Sequence, residues 1–105
     1  MDLGKIMKQA QKVQKEMLKA QEELAGERVE ASSGGGMVRV VANGKQEILE
    51  VKINPDAVNP EDVELLEDMV LVAVNEALGE SRELASRKLS KLTGGVESPG
   101  VDVEN

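Results

Sequence analysis

The chain has 105 residues with a formal net charge of -7, and contains no cysteine, histidine, phenylalanine, tyrosine or tryptophan. That length allows one domain with a modest core. The missing residue types exclude disulfides, thiolate metal sites, histidine general bases and aromatic platforms for unstacked bases.

Charge is segregated along the chain. Residues 1–20 carry five lysines against Asp2 and Glu16, residues 27–79 carry four basic against eleven acidic residues, and residues 80–92 carry four basic against two acidic. No apolar stretch approaches the roughly 20 residues of a membrane span, and MDLGKIMKQAQ lacks the apolar core of a signal peptide, so a cytoplasmic location is expected.

From Leu3 to Leu24 the apolar residues Leu3, Ile6, Ala10, Val13, Met17, Ala20 and Leu24 alternate spacings of three and four, the rhythm of a helix with one packing seam. Gly26 is the expected stop. Val29 and Ala31 then alternate with polar neighbours as a short strand, followed by a flexible Ser32–Gly36 loop. Met37–Ala42 and Lys45–Ile53 flank Asn43-Gly44, the pattern of a two-residue hairpin. With Ala42 opposite Lys45, Val38 would face Leu49, and Val38, Val40, Leu49, Val51 and Ile53 would share one side of the sheet. Asn59-Pro60-Glu61-Asp62 has the cap, the first-turn proline and the acids of a helix start. The second helix is expected to run to about Leu92. Its Leu65–Leu78 half is apolar on nearly all sides, which in so small a domain calls for a second copy of the chain as cover. Beyond Gly79 the stripe narrows to Leu84, Ala85, Leu89 and Leu92, fit to pair with the first helix as an arm. Residues 1–92 form the expected domain, and residues 93–105 an expected disordered acidic tail.

Lys5, Lys8, Lys12, Lys15 and Lys19 form a second stripe, about 160° from the seam at roughly 100° per residue. Their i,i+3 and i,i+4 neighbours are like charges, each costing on the order of 0.2–0.5 kcal/mol, and Lys5 and Lys8 sit at the positive end of the helix dipole. The second helix is the internal control. Its acids Glu61, Asp62, Glu64, Glu67 and Asp68 lie at the start and Arg82, Arg87, Lys88 and Lys91 toward the end, as the dipole favours. The first helix therefore asks for a polyanion, and duplex DNA presents phosphates along one helix face. Lysine brings no fork for guanine, so such binding should be indifferent to sequence. The alternative is a protein-interaction module in which the lysines are a solvated face.

Other motifs lack a chemical partner. Gly34-Gly35-Gly36 is not followed by the Gly-Lys-Ser/Thr of a phosphate loop, the serines have no histidine to activate them, and the acidic pairs suit a helix start. Neither an enzyme nor a cofactor, metal or small-molecule substrate is expected.

The stretches MKQAQKVQKEMLKAQEEL, GGGMVRVVANGKQEILEVKINPDAV and LLEDMVLVAVNEAL, taken in one register from Leu3 to Gly95, closely resemble the YbaB/EbfC family of bacterial nucleoid-associated proteins. The resemblance implies an α+β protomer of α-β-β-β-α order, with an antiparallel three-stranded sheet and two long helices, in a tweezers-like homodimer. It also implies double-stranded DNA as partner, a place in the nucleoid and a part in gene regulation. Its DNA contacts would fall on the arms, at Lys5, Lys8, Lys12, Lys15 and Lys19, with Arg82, Arg87 and Lys88 as secondary positions. The ending ESPGVDVEN departs from the Gly/Pro/Leu-rich tail of many relatives, and its acids are expected to compete for the lysines.

Overall fold

The computed structural model describes residues 2–92, so the expected acidic tail lies outside the described residues. Helix α1 (Leu3–Gly26) leads into strands β1 (Arg28–Ser33), β2 (Val38–Asn43) and β3 (Ile48–Ile53), and helix α2 (Val63–Leu92) closes the order. The three strands form one antiparallel sheet in the order β1-β2-β3. This is the expected α+β arrangement. No helix among the described residues is long and apolar enough to cross a membrane.

Asp2 caps α1 by accepting from the backbone N–H groups of Gly4 and Lys5, at 3.0 and 3.3 Å. Such a cap satisfies donors the first turn cannot pair internally. The helix stops at Gly26, and β1 runs two residues beyond the expected short strand, to Ser33. The glycines that follow make a tight 3-10 turn rather than a loose loop. All three have positive φ, and a side chain at Gly34 would collide with the Met69 sulfur. Ser33 Oγ donates to the Met69 carbonyl at 2.6 Å, fastening this end of the sheet to α2.

The hairpin differs from expectation. Val38 lies opposite Ile53 and Val40 opposite Val51, with a bulge that leaves Ala42 opposite Ile48. The register is displaced by four residues from Val38 opposite Leu49. Because four is even, Val38, Val40, Val51 and Ile53 keep the same face of the sheet. The connection is wider than Asn43-Gly44: Asn43 N–H donates to the Glu47 carbonyl at 3.0 Å, and the left-handed residue is Gln46, with φ 63°. Gly44 does not have positive φ, so the paired left-handed residues of a type I′ turn are absent.

The start of α2 also moves. Asn59 caps a turn, accepting from Glu61 N–H at 3.0 Å, and the helix proper begins at Val63 with Asp62 accepting from Leu65 N–H at 3.4 Å. Pro60 therefore belongs to the turn rather than to the first helical position.

The core is made of small residues. Ala31, Val38, Val40, Ala42, Ala73 and Ala77 are buried, and Leu66, Met69, Val70 and Val74 pack at its margin. Ala73, Ala77 and Ser81 recur every four residues and let the α2 backbone lie close over β1 and β2. Strand β3 receives no such cover. Ile48, Leu49, Val51 and Ile53 stay exposed, as do Leu65, Leu71 and Val72 on α2.

A candidate nucleic-acid interface on the α1 arm

Among the described residues, helix α1 is anchored at its C-terminal end. Ala20 and Leu24 are its buried residues, and every residue from Asp2 to Lys15 is exposed. Lys88 of α2 reaches Glu23 and Glu27 at 3.3 and 2.9 Å. This joins the last turns of α1 to the C-terminal half of α2. Among the described residues, the part of α1 before Ala20 contributes no buried residue over about 25 Å at 1.5 Å per residue.

All five lysines of the stripe, Lys5, Lys8, Lys12, Lys15 and Lys19, are exposed on this projecting helix. Among the described residues none of them makes an ion pair. Unpaired ammonium groups at one-turn intervals along one face are free to meet successive phosphates, each at no cost in broken protein contacts.

The secondary positions divide. Arg82 is exposed and makes no ion pair among the described residues, while Arg87 lies 3.7 Å from Glu83 in an exposed i,i+4 pair of little energetic consequence. Lys88 sits apart from both. It lies seven residues after buried Ser81, hence on nearly the same side of α2, and faces α1 rather than solvent. The hydrogen bond to Glu27, followed by that to Glu23, raises its pKa above the ordinary lysine value. In this structure it clasps the base of the arm.

Because that pKa is raised on folding, the clasp contributes stability in full below the unfolded value of about 10.4, and loses it as pH rises through the folded value. The stability difference between the native chain and Lys88→Gln should be constant across neutral pH and shrink above about pH 10.5. Urea unfolding of both proteins over that range checks this, and a gap unchanged at high pH would exclude a charge-based clasp.

A further junction, not anticipated from the sequence, positions the arm. Asn43 is buried, and its amide Nδ2 donates to the Ala25 carbonyl at 3.2 Å and to Glu47 Oε1 at 2.6 Å. Its Oδ1 accepts from Lys45 and Glu47 N–H at 2.9 and 3.0 Å. Gly44 N–H donates to the Leu24 carbonyl at 2.8 Å. Ser81, 0% exposed, donates from Oγ to the Asn43 carbonyl at 2.6 Å and accepts from Gln46 N–H at 2.9 Å. The end of α1, the hairpin and the middle of α2 are thereby joined at one point.

Comparison with known proteins agrees with this architecture. The model of the YbaB/EbfC DNA-binding family matches residues 1–96. The chain belongs to this family. Its relatives include a nucleoid-associated protein of Pelotomaculum thermopropionicum, 50% identical over 95% of each chain. Another, from Moorella thermoacetica, is 52% identical over 94% of this chain and 95% of the relative. The crystal structure of an uncharacterized Helicobacter pylori protein shares the fold, with a TM-score of 0.80 at 24% identity, over 90% of this chain and 99% of that one. The family assignment covers both the arm and the junction that holds it.

Proposed function

We propose that this family member is a nucleoid-associated protein that binds duplex DNA with little sequence specificity, contributing to nucleoid organisation and gene regulation. The observation that carries the reading is the row of five exposed lysines along the projecting part of α1, without ion pairs among the described residues. The names of its nucleoid-associated relatives support the same location for this chain. Arg82 and Arg87 extend the basic surface; Lys88 contributes by holding the arm.

The working unit in this reading is a homodimer. A shallow, mainly apolar groove lined by Ile53, Leu66, Glu67, Val70, Leu71 and Val74 runs between β3 and α2, with more exposed apolar residues around it. A patch of this kind on a single small domain is a self-association surface, and a twofold pair through it covers β3 and the outer side of α2 together. Two arms then issue from one body and double the number of phosphates within reach.

Binding to a labelled duplex of arbitrary sequence across a salt series tests the function. The native chain should bind with an affinity that falls steeply with salt, and the slope should flatten by about 0.9 for each phosphate contact removed. Replacing Lys5, Lys8, Lys12, Lys15 and Lys19 with Gln should abolish binding while dimerisation and helix content persist. Absence of native binding at low salt would instead favour the protein-interaction reading.

A further inference from the structure

Among the described residues, none buries the N-terminal part of the α1 face opposite the lysines. Leu3 is 71% exposed, and Ile6 and Val13 are also exposed, although they continue the seam whose last members, Ala20 and Leu24, are buried. Written as heptads, Leu3, Ala10, Met17 and Leu24 fall at a, and Ile6, Val13 and Ala20 at d. All five lysines then fall at c or f, away from the seam. Of the flanking e and g positions, Met7, Gln9 and Gln14 in the middle of the open stretch are uncharged, and the acidic ones, Asp2 and Glu16, lie at its two ends.

From this geometry we infer that the open seam is a contact between copies: α1 of one molecule pairs antiparallel with α1 of a second. In an antiparallel pair each a residue meets a d residue. Only two registers bring the upper seam together symmetrically. One centres between Ala10 and Val13 and requires Ala20, which is 4% exposed and already packed within its own chain. The other centres on residue 8 and uses exposed residues alone: Leu3 against Val13 of the second copy, and Ile6 against its Ala10, with the reciprocal pairs completing four layers. Large residues meet smaller ones, as interlocking side chains require.

Self-pairing is the specific fit. In a twofold contact a charge beside the axis meets its own copy, which excludes charged flanks there. The residues beside this axis are Met7 and Gln9, on a helix that otherwise carries five lysines in its first 20 residues. A partner of opposite charge would have no such requirement. With two arms per dimer the contact links dimers into an open chain whose lysines all face outward, and it needs no DNA to form.

The chain has no cysteine, so an introduced thiol is a unique reporter. Met7→Cys and Lys12→Cys, treated without DNA with a thiol cross-linker of about 8 Å reach, compare the seam with the opposite face, packed helix axes lying 8–10 Å apart. The seam thiol should cross-link at least tenfold faster, and lose that advantage when Ile6→Gln and Val13→Gln are added. These substitutions lie on an exposed arm, so circular dichroism should be unchanged. Sedimentation should show the native chain forming species heavier than those of the Ile6→Gln/Val13→Gln protein. Equal rates for the two thiols, cross-linking that survives the seam substitutions, or identical sedimentation of the two proteins overturns the inference. Since no DNA is present, none of these outcomes depends on the duplex-binding assay, and a failure to bind duplex leaves this contact standing.

Discussion

In the Ile6→Gln/Val13→Gln background, where the arm contact is removed, Leu71→Asp is expected to convert the proposed dimer to a monomer without unfolding the protomer. Leu71 is 59% exposed on α2 and lines the groove beside Ile53, so within one chain it contributes little to the core. A surface substitution away from specific contacts changes stability by about 0.5 kcal/mol or less. In the twofold body contact proposed above, the same residue is buried twice. Loss of two leucine side chains at about 2 kcal/mol each raises the dimer dissociation constant by about three orders of magnitude, and two desolvated carboxylates add to the effect. Sedimentation equilibrium reads the mass, and unfolding at two protein concentrations reads the linkage. The midpoint of the Ile6→Gln/Val13→Gln parent should rise with concentration, whereas that of the protein with Leu71→Asp added should not. Unchanged sedimentation on adding Leu71→Asp to that parent would place the body contact elsewhere.

The same residues show what the sequence could convey. Periodicity identified both helices, because the α1 seam and the apolar half of α2 are set by the 3.6-residue turn alone. The shared side of the sheet was legible in part for a similar reason: an error of four in register preserves the side on which Val38, Val40, Val51 and Ile53 lie, whereas Leu49, expected with them, falls at the bulge and has no partner in the β2 register. The lysine row needed only the helix to exist.

Asn43-Gly44 was not legible, because its local meaning and its tertiary use differ. As a dipeptide it signals a two-residue turn, yet Asn43 is taken up by Ala25, Lys45 and Glu47, and Gly44 by Leu24. The left-handed conformation passes to Gln46, whose N–H is held by Ser81. Lys88 is a milder case. The family resemblance implied a secondary phosphate contact there, but its spacing of seven from Ser81 puts it on the inward side, a relation visible only once Ser81 is known to be buried. The helix start at Val63 rather than Pro60 follows from two competing caps, Asn59 and Asp62, of which the second bonds the helix proper.

Gly44→Ala should disrupt the junction from which the arm projects. A Cβ at this position would lie 2.6 Å from Leu24 Cδ2 and 2.8 Å from the Leu24 backbone oxygen. The side chain could rotate, but the carbonyl belongs to the last turn of α1 and accepts the Gly44 N–H. Relief therefore requires the helix end to withdraw from the hairpin. Overpacking of about 1–3 kcal/mol and a lost hydrogen bond of about 1 kcal/mol give a destabilisation of about 2–4 kcal/mol, a large share of what a small domain possesses. The effect should be anisotropic. Backbone amides of β1 and β2, held by the core of Ala31, Val38, Val40, Ala73 and Ala77, should keep more of their protection from hydrogen exchange than those of residues 20–26. Ser81→Ala offers a comparison: it removes the hydroxyl that bridges the Asn43 carbonyl and Gln46 N–H, leaving them their mutual 3.3 Å bond, and introduces no clash, so it should weaken the hairpin-to-α2 side of the junction while the α1 contact at Gly44 persists. If Gly44→Ala loosens the α1 end selectively, duplex affinity should fall even though all five lysines remain, because the arm no longer holds them in a fixed row. Retention of native affinity by a folded Gly44→Ala protein with a loosened α1 would show that phosphate binding depends on lysine charge alone and not on the arm being held.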